Sequence, residues 1–284
     1  MFTILEIIKR TTDFLAAKEI PSARLNAELL IGHALGRKRM QLYLEFERPL
    51  TEEELARIRP LVKRRSQHEP LQYIVGETEF CGVKLKVDRR GLIPRPETEL
   101  LVELVRAWCE GNPPVSRIMD LGTGSGAIAV ALGRALPGVS VTAVERSAEA
   151  LSLAQENVAA AGLGERVRLI ASDWFTGIPI PVDAFDVVVS NPPYLSTAET
   201  AETPLEVRGF EPMAALTASD EGYGDLETII AGAPRFLRRG GLLALETGIA
   251  QHSRLLAAAT RAGFTRTESK QDLTKRDRFI LAVW

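Results

Sequence analysis

Metal-ligating and redox-active residues are scarce in this chain. Its 284 residues include two cysteines and three histidines. Cys81 and Cys109 lie in different segments, and His33, His68 and His252 are scattered. None of these spacings suits a zinc or iron–sulfur site, so no metal is expected and the five side chains read as packing or surface residues. Long apolar runs are missing too. Nothing approaches the ~18 apolar residues of a membrane span. The N-terminal "MFTILEIIKRTTDF" is broken by Glu6, Lys9, Arg10 and Asp13, which makes it a helix and not a signal peptide. No membrane attachment is expected, and the cytoplasm is the expected compartment.

Net charge is small, at −2, but unevenly spread. Residues 1–95 hold 18 Lys and Arg against 13 Asp and Glu, a balance of +5 that leaves −7 for the remainder. A mildly basic front end suits an acidic partner or an RNA-rich neighbourhood, and equally a set of solvated helix faces. With 45% hydrophobic and 25% charged residues, the composition is that of a globular protein with a proper core. The length points to one large domain with a smaller one.

Residues 3–75 read as helix throughout. Ile4, Ile7, Ile8 and Leu15 recur at helical spacing. Ser22 is a candidate N-cap and Gly36 a candidate helix end. Thr51 and Glu54 form a capping-box pattern, and Pro60 is placed to kink the helix that follows. Residues 76–95, with "ETEFCGVKLKVDRRGLIP", alternate apolar and polar around Gly82 and Gly91, which predicts a β-hairpin linker. A helix then opens near Pro96. From residue 115, strand and helix alternate: "VSRIMDL", "GAIAVALGRAL", "VSVTAVE", "SAEALSLAQENVAAAG", "RVRLIASD", "FDVVVS", "DLETIIAGAPRFLRRG", "GLLALET", "AQHSRLLAAATRAG" and two closing strands. This predicts an α/β domain over 96–284, with a mainly parallel sheet covered by helices on both faces. Ligands of such sheets bind beyond the carboxyl ends of the strands.

Four features fall at those ends. "DLGTGSGAIAV" puts Asp120 at a strand end, with Gly122, Gly124 and Gly126 before a helix. Glycines allow a tight turn and close backbone approach, and the helix start offers free N–H groups. Glu145 ends the next strand, 19 residues after Gly126, where an acid accepts from ribose hydroxyls. "SDWF" brings Asp173 and Trp174, a carboxylate for an exocyclic amine and a flat apolar wall beside an adenine. A nucleoside cofactor is therefore expected. The last feature is "SNPPYL". Asn191 precedes proline and is pushed to extended geometry, while Pro192 lacks an N–H and is restricted by Pro193. The result is a stiff, acceptor-rich loop. The Asn191 side-chain oxygen and nearby carbonyls can grip the two hydrogens of a planar –NH2 group, with Tyr194 packed on its plane. A delocalised nitrogen is a poor nucleophile, and such a grip raises its electron density and aims it.

D-x-G-x-G-x-G resembles motif I of the S-adenosylmethionine (SAM) methyltransferases, and not the dinucleotide fingerprint, whose third glycine comes one residue later. Asn-Pro-Pro-Tyr resembles the signature of methyltransferases acting on adenine N6, cytosine N4 or the glutamine amide, and alone does not choose among them. With "GLIPRPETELLVE", "FEPMAAL", "DEGYGDLETII" and "LETG", the chain resembles the release-factor glutamine methyltransferases, the HemK/PrmC family, over nearly its full length. The resemblance implies a class I SAM-dependent fold, Rossmann-like, with a seven-stranded sheet ending in an antiparallel hairpin. A helical domain over 1–75 would dock the protein substrate. It implies methylation of the glutamine amide in the Gly-Gly-Gln motif of peptide chain release factors, leaving S-adenosylhomocysteine. In family terms Asp120, Gly122, Thr123, Gly124, Ser125, Gly126, Glu145, Asp173, Trp174 and Asn191 would bind the cofactor. Asn191, Pro192, Pro193 and Tyr194, with Leu92 and Ile93 from the hairpin, would bind the glutamine. Asn191, Pro192 and Tyr194 would serve catalysis. The family's acid at position 145 is often Asp, and Glu145 is one methylene longer but still able to accept. The partner would be a release factor and the enzyme a monomer. A glutamine methyltransferase of a ribosomal protein shares much of this pattern, though "IPRPETE" favours the release-factor branch. A DNA adenine methyltransferase would need a basic face that a −7 domain does not offer, and a binding-only scaffold would have no need of Asn191-Pro192-Pro193-Tyr194.

Overall fold

The computed structural model describes residues 2–180 and 184–284. They divide into two units, Met1–Glu77 with Pro204–Phe210, and Thr78–Thr203 with Glu211–Trp284.

The first unit is helical. It contains α1 (Ile4–Ala16), α2 (Ala23–Leu35), α3 (Arg39–Leu44), α4 (Glu52–Ser66) and α5 (Leu71–Val75). Ile4, Ile8 and Leu15 of α1 are fully buried, with Ile31 and Leu42 beside them and α4 contributing Leu55 and Ile58. Thr51 and Glu54 close the expected capping box at the start of α4, which continues through Pro60 to Ser66. Gly36 ends α2 in the left-handed region, as its lack of a Cβ allows. Ser22 departs from expectation. It has a left-handed backbone, its hydroxyl caps nothing, and its carbonyl instead accepts from the Asn26 side chain. Arg65 is buried and fully engaged within this unit. Its guanidinium donates to Asn26 Oδ1 at 2.7 Å, the Glu69 carbonyl at 3.0 Å and Glu206 Oε2 at 2.7 Å. A buried charge needs such pairing, and here it joins the short helix Leu205–Arg208 to the helical unit.

A hairpin of β1 (Glu77–Phe80) and β2 (Val83–Lys86), which enters the second unit at Thr78, is followed by α6 (Pro96–Gly111) with Pro96 at its first position. The main sheet of this unit contains β3 (Arg117–Leu121), β4 (Ser140–Glu145), β5 (Val167–Ala171), β6 (Phe185–Ser190), β7 (Leu237–Glu246), β8 (Arg266–Gln271) and β9 (Asp277–Val283). The order is β5-β4-β3-β6-β7-β9-β8. β3 to β7 are parallel, and β9 runs antiparallel to both β7 and β8. Ile118, Val187 and Val189 face one apolar cluster, and Met119, Val188 and Leu243 the other. Two covered faces explain why β6 reads as an uninterrupted apolar run. Between β3 and β4 lies α7 (Ala127–Ala135), and between β4 and β5 lies α8 (Ala148–Ala160). The expected helix over "DLETIIAGAPRFLRRG" is shorter than its pattern. It spans Gly224–Gly232, a single 3₁₀ turn covers Ala233–Arg235, and β7 already starts at Leu237. Pro234 has no N–H to extend the helix.

β3 is flanked by β4 on one side and β6 on the other, so strand order reverses there. The crevice beyond the carboxyl ends of such strands is where a ligand site forms.

Candidate active site

A pocket opens at these ends. It is lined by Gly122–Ser125, Glu145, Asp173, Trp174, Asn191 and Pro193, and closed by Leu92, Arg95 and Thr98 from one side and Pro212 and Ala214 from another. All of these residues belong to the second unit.

The loop after β3 forms its floor. Gly122, Gly124 and Gly126 have φ of +67°, +56° and +82°. A Cβ on Gly122 would lie 3.0 Å from Trp174 Cζ3, and one on Gly126 3.3 Å from Ala154. Both backbone and space therefore require glycine. Thr123 ties the loop to its neighbour by donating its N–H to the Val144 carbonyl at 3.0 Å. Its hydroxyl donates to Asp120 Oδ2 at 2.6 Å. Asp120 itself is fully buried beneath the loop, and burial pushes its carboxyl up to about 7 against the pull of that hydrogen bond. Glu145, at the end of β4, accepts from Gly124 N at 3.0 Å and from Ser147 N at 2.8 Å. Its carboxylate is thereby fixed beside the loop with lone pairs to spare.

Trp174 follows β5 with a left-handed φ of +48°. Its indole N–H donates to Asp225 Oδ1 at 3.0 Å, which sets the ring against Gly122. Asp173 is largely exposed at the rim, 3.8 Å from Arg146.

At the end of β6 the Asn191 amide nitrogen donates to Thr98 Oγ1 at 3.0 Å. Thr98 donates in turn to Glu246 Oε2 at 2.7 Å. Glu246 Oε1 accepts from the Tyr194 hydroxyl at 3.2 Å. Burial pushes the Glu246 carboxyl up, opposed by Thr98, Arg278 and Tyr194. The same burial pushes the Tyr194 phenol up. The Tyr194 carbonyl accepts from Gln251 Nε2 at 3.0 Å. The sequence-predicted residues do not all reach the pocket wall. Asn191, Pro193 and Leu92 line it, whereas Pro192, Tyr194, Ile93, Asp120 and Gly126 are not among its lining. Ile93 is 3% exposed and donates its N–H to Glu211 Oε2 at 3.2 Å. The Glu211 carboxylate also pairs with Arg95.

Sequence reasoning missed Thr98, Glu246, Glu211 and Asn157. Asn157 is buried on α8, where its side chain donates to the Ser125 carbonyl at 2.8 Å and accepts from Lys86 N at 2.7 Å, joining the glycine loop to β2. Thr98 and Glu246 sit in the stretches "PRPETE" and "LETG", but 148 residues separate them and no local pattern announces their contact.

The carboxylates and the cradle fit a cationic nucleoside. Glu145 has acceptor capacity at the loop, and the Gly122 cradle against Trp174 leaves no room for a Cβ.

Comparison with known proteins gives the family. Residues 6–76 match the family model described as PrmC N-terminal domain, and residues 96–206 match the methyltransferase small domain. The release factor glutamine methyltransferase of Chlorobaculum tepidum is 42% identical over 98% of this chain and 96% of its own length. The protein of the same name from Geobacter sulfurreducens is also 42% identical, over 99% and 96%. The chain belongs to the release factor glutamine methyltransferase family. It is accordingly a methyltransferase, with the expected seven-stranded fold. Among solved structures, the hMettl16 catalytic domain in complex with the MAT2A 3′UTR hairpin 6 has a TM-score of 0.55 at 18% identity, covering 82% of each chain. A methyltransferase from Pyrococcus furiosus gives 0.51 at 19%, over 71% of this chain and 89% of that one. These two share the fold. In this chain the stretches around Thr98, Asn191 and Glu246 come together as one hydrogen-bonded group. No helix here is long and apolar enough to cross a membrane, among the described residues.

Proposed function

We propose that this enzyme transfers the methyl group of SAM to the side-chain amide nitrogen (N5) of the glutamine in the Gly-Gly-Gln motif of peptide chain release factors. It works as a cytoplasmic monomer, with the release factor as partner, no nucleic-acid substrate and no metal. The observation that carries the reading is the state of Asn191. Its nitrogen donates one hydrogen to Thr98, and its oxygen takes no partner among the described residues at the pocket wall. An acceptor there suits a substrate that brings N–H donors, which a glutamine amide does.

The residues divide the work. Gly122 to Gly126, with Thr123 and Ser125, would hold the amino-acid end of the cofactor, and Asp120 braces that loop from below. Glu145 would accept from the ribose hydroxyls, and Asp173 and Trp174 would flank the adenine. When bound, SAM supplies a methyl group made electrophilic by its sulfonium. Asn191 Oδ1 would accept from the substrate amide, raising electron density on a nitrogen whose lone pair is otherwise delocalised. Pro192 and Pro193 restrict the loop so that this acceptor is held in place. Leu92 and Pro193 would wall the glutamine stem, with Ile93 and Tyr194 supporting that wall from behind. Residues 1–75 would dock the release factor, where their positive balance suits an acidic surface.

The test is labelled SAM with purified release factor, wild type and with the motif glutamine replaced. The wild-type factor is expected to gain one methyl in mass and the replaced factor none. Label on both factors, on a ribosomal protein in preference, or on DNA would overturn the assignment.

A further inference from the structure

An amide has two ends of opposite polarity, and the proposed substrate tolerates one of them. A glutamine –NH2 offers hydrogens, so Asn191 must offer oxygen. If its own –NH2 faced the pocket, two donors would oppose each other. Rotation by half a turn about the last side-chain bond exchanges the ends at almost no change in shape. Something must therefore choose.

We propose that Thr98 and Glu246 are positioning residues that fix the polarity of the Asn191 amide. This rests on the function proposed above and deepens it. The choice follows from counting hydrogens along the chain of contacts. Burial favours the neutral form of Glu246, whereas Thr98, Tyr194 and the Arg278 charge favour the ionised one, and as a carboxylate Glu246 can only accept. Glu246 Oε2 stands 2.7 Å from Thr98 Oγ1, so the one hydroxyl hydrogen of Thr98 is committed to it. Thr98 Oγ1 is left with lone pairs alone toward Asn191. It can accept from Nδ2, at 3.0 Å, and would repel Oδ1. The oxygen of Asn191 is turned to the pocket as a result. The other side of Glu246 runs the same way, since the Tyr194 hydroxyl donates to Oε1 at 3.2 Å. Arg278 completes the surroundings, with Nη1 3.4 Å from the Tyr194 oxygen and 3.0 Å from the Thr247 carbonyl. The Thr98 and Tyr194 hydroxyls thus both donate to Glu246. Thr98 is 4% and Glu246 1% exposed, so no bulk water competes for these hydrogens. The geometry also draws together three separate parts of the chain: the first turn of α6, the end of β6 and the end of β7.

Thr98→Val keeps the volume and removes the hydroxyl, leaving the Asn191 amide free to turn. With release factor as substrate, kcat is expected to fall about 10- to 100-fold while KM and the SAM dissociation constant stay within about threefold. Thr98→Ser restores the hydroxyl and is expected to return kcat to within about threefold of wild type. A second readout needs no turnover. In the free protein, the Asn191 side-chain amide protons should exchange slowly with solvent by NMR in wild type and in Thr98→Ser, and quickly in Thr98→Val. Should Thr98→Val fail to fold, Glu246→Gln takes its place. Its amide can donate to Thr98 as well as accept, so the relay can run backward and kcat is again expected to drop about 10-fold. Near-wild-type kcat in the substituted protein, or unchanged exchange of the Asn191 amide, would overturn the relay. A wild-type enzyme that methylates no release factor would sink the function and leave the exchange measurement to judge the relay.

Discussion

Asn191 shows how much one side chain can be asked to do when its surroundings hold it still. Its nitrogen is engaged by Thr98 and its oxygen is left for the pocket. Asn191→Ala is therefore expected to reduce methyl transfer by about 100-fold or more, with SAM affinity changed by less than about fivefold. Isothermal titration beside a transfer assay separates the two. Equal loss of both would assign Asn191 to the cofactor alone. Asp120 makes a different point at the same scale. Its carboxyl stands at about 7 against an ordinary 3.8, because burial disfavours the charge. Between those values the native state keeps a proton that the unfolded chain has released. Stability from this group is thus present at low pH and is lost as pH rises toward 7, by up to about 4 kcal/mol in all. Asp120→Asn should flatten that decline. Denaturant titrations of both proteins from pH 4 to pH 8 test this, and parallel curves would refute it.

At the scale of elements, the site depends on where strands stop and what crosses above them. The glycine loop is pressed from two directions, by Trp174 at Gly122 and by Ala154 of α8 at Gly126. Gly126→Ala must place a Cβ 3.3 Å from Ala154 on a backbone with φ of +82°. Strain of about 1–3 kcal/mol is expected, with a matching fall in thermal midpoint and a clear loss of SAM affinity. A variant as stable as wild type would show the loop to be looser than its contacts imply. Much of this was legible beforehand. Strand–helix alternation, the glycine spacing, Glu145 and the Asn-Pro-Pro-Tyr loop are local patterns, and local patterns are what a sequence displays. The Thr98–Glu246 contact was not legible, because its partners lie 148 residues apart and become neighbours only once α6 packs by β7. Ser22 misled for a related reason. A serine before a helix commonly caps it, but here the backbone is left-handed and the carbonyl, not the hydroxyl, meets Asn26.

For the whole molecule, the division into two units leaves the pocket within one of them. Every residue lining the pocket belongs to the second unit. The first unit has apolar clusters of its own, built on Ile4, Ile8, Ile31 and Leu42 and on Leu15, Ile20, Leu30 and Ile74. Damage to that core should therefore not reach cofactor binding directly. Ile31→Ala opens a cavity at a fully buried position and is expected to cost about 2–4 kcal/mol. SAM affinity should stay within about twofold, because no pocket contact is altered, while KM for the release factor is expected to rise on the proposed docking role of the helical unit. Calorimetry, SAM titration and methylation kinetics on the same preparation distinguish the outcomes. If SAM affinity fell in step with stability, the two units would be one cooperative body, and the helical unit would be holding the active site together instead of presenting the substrate.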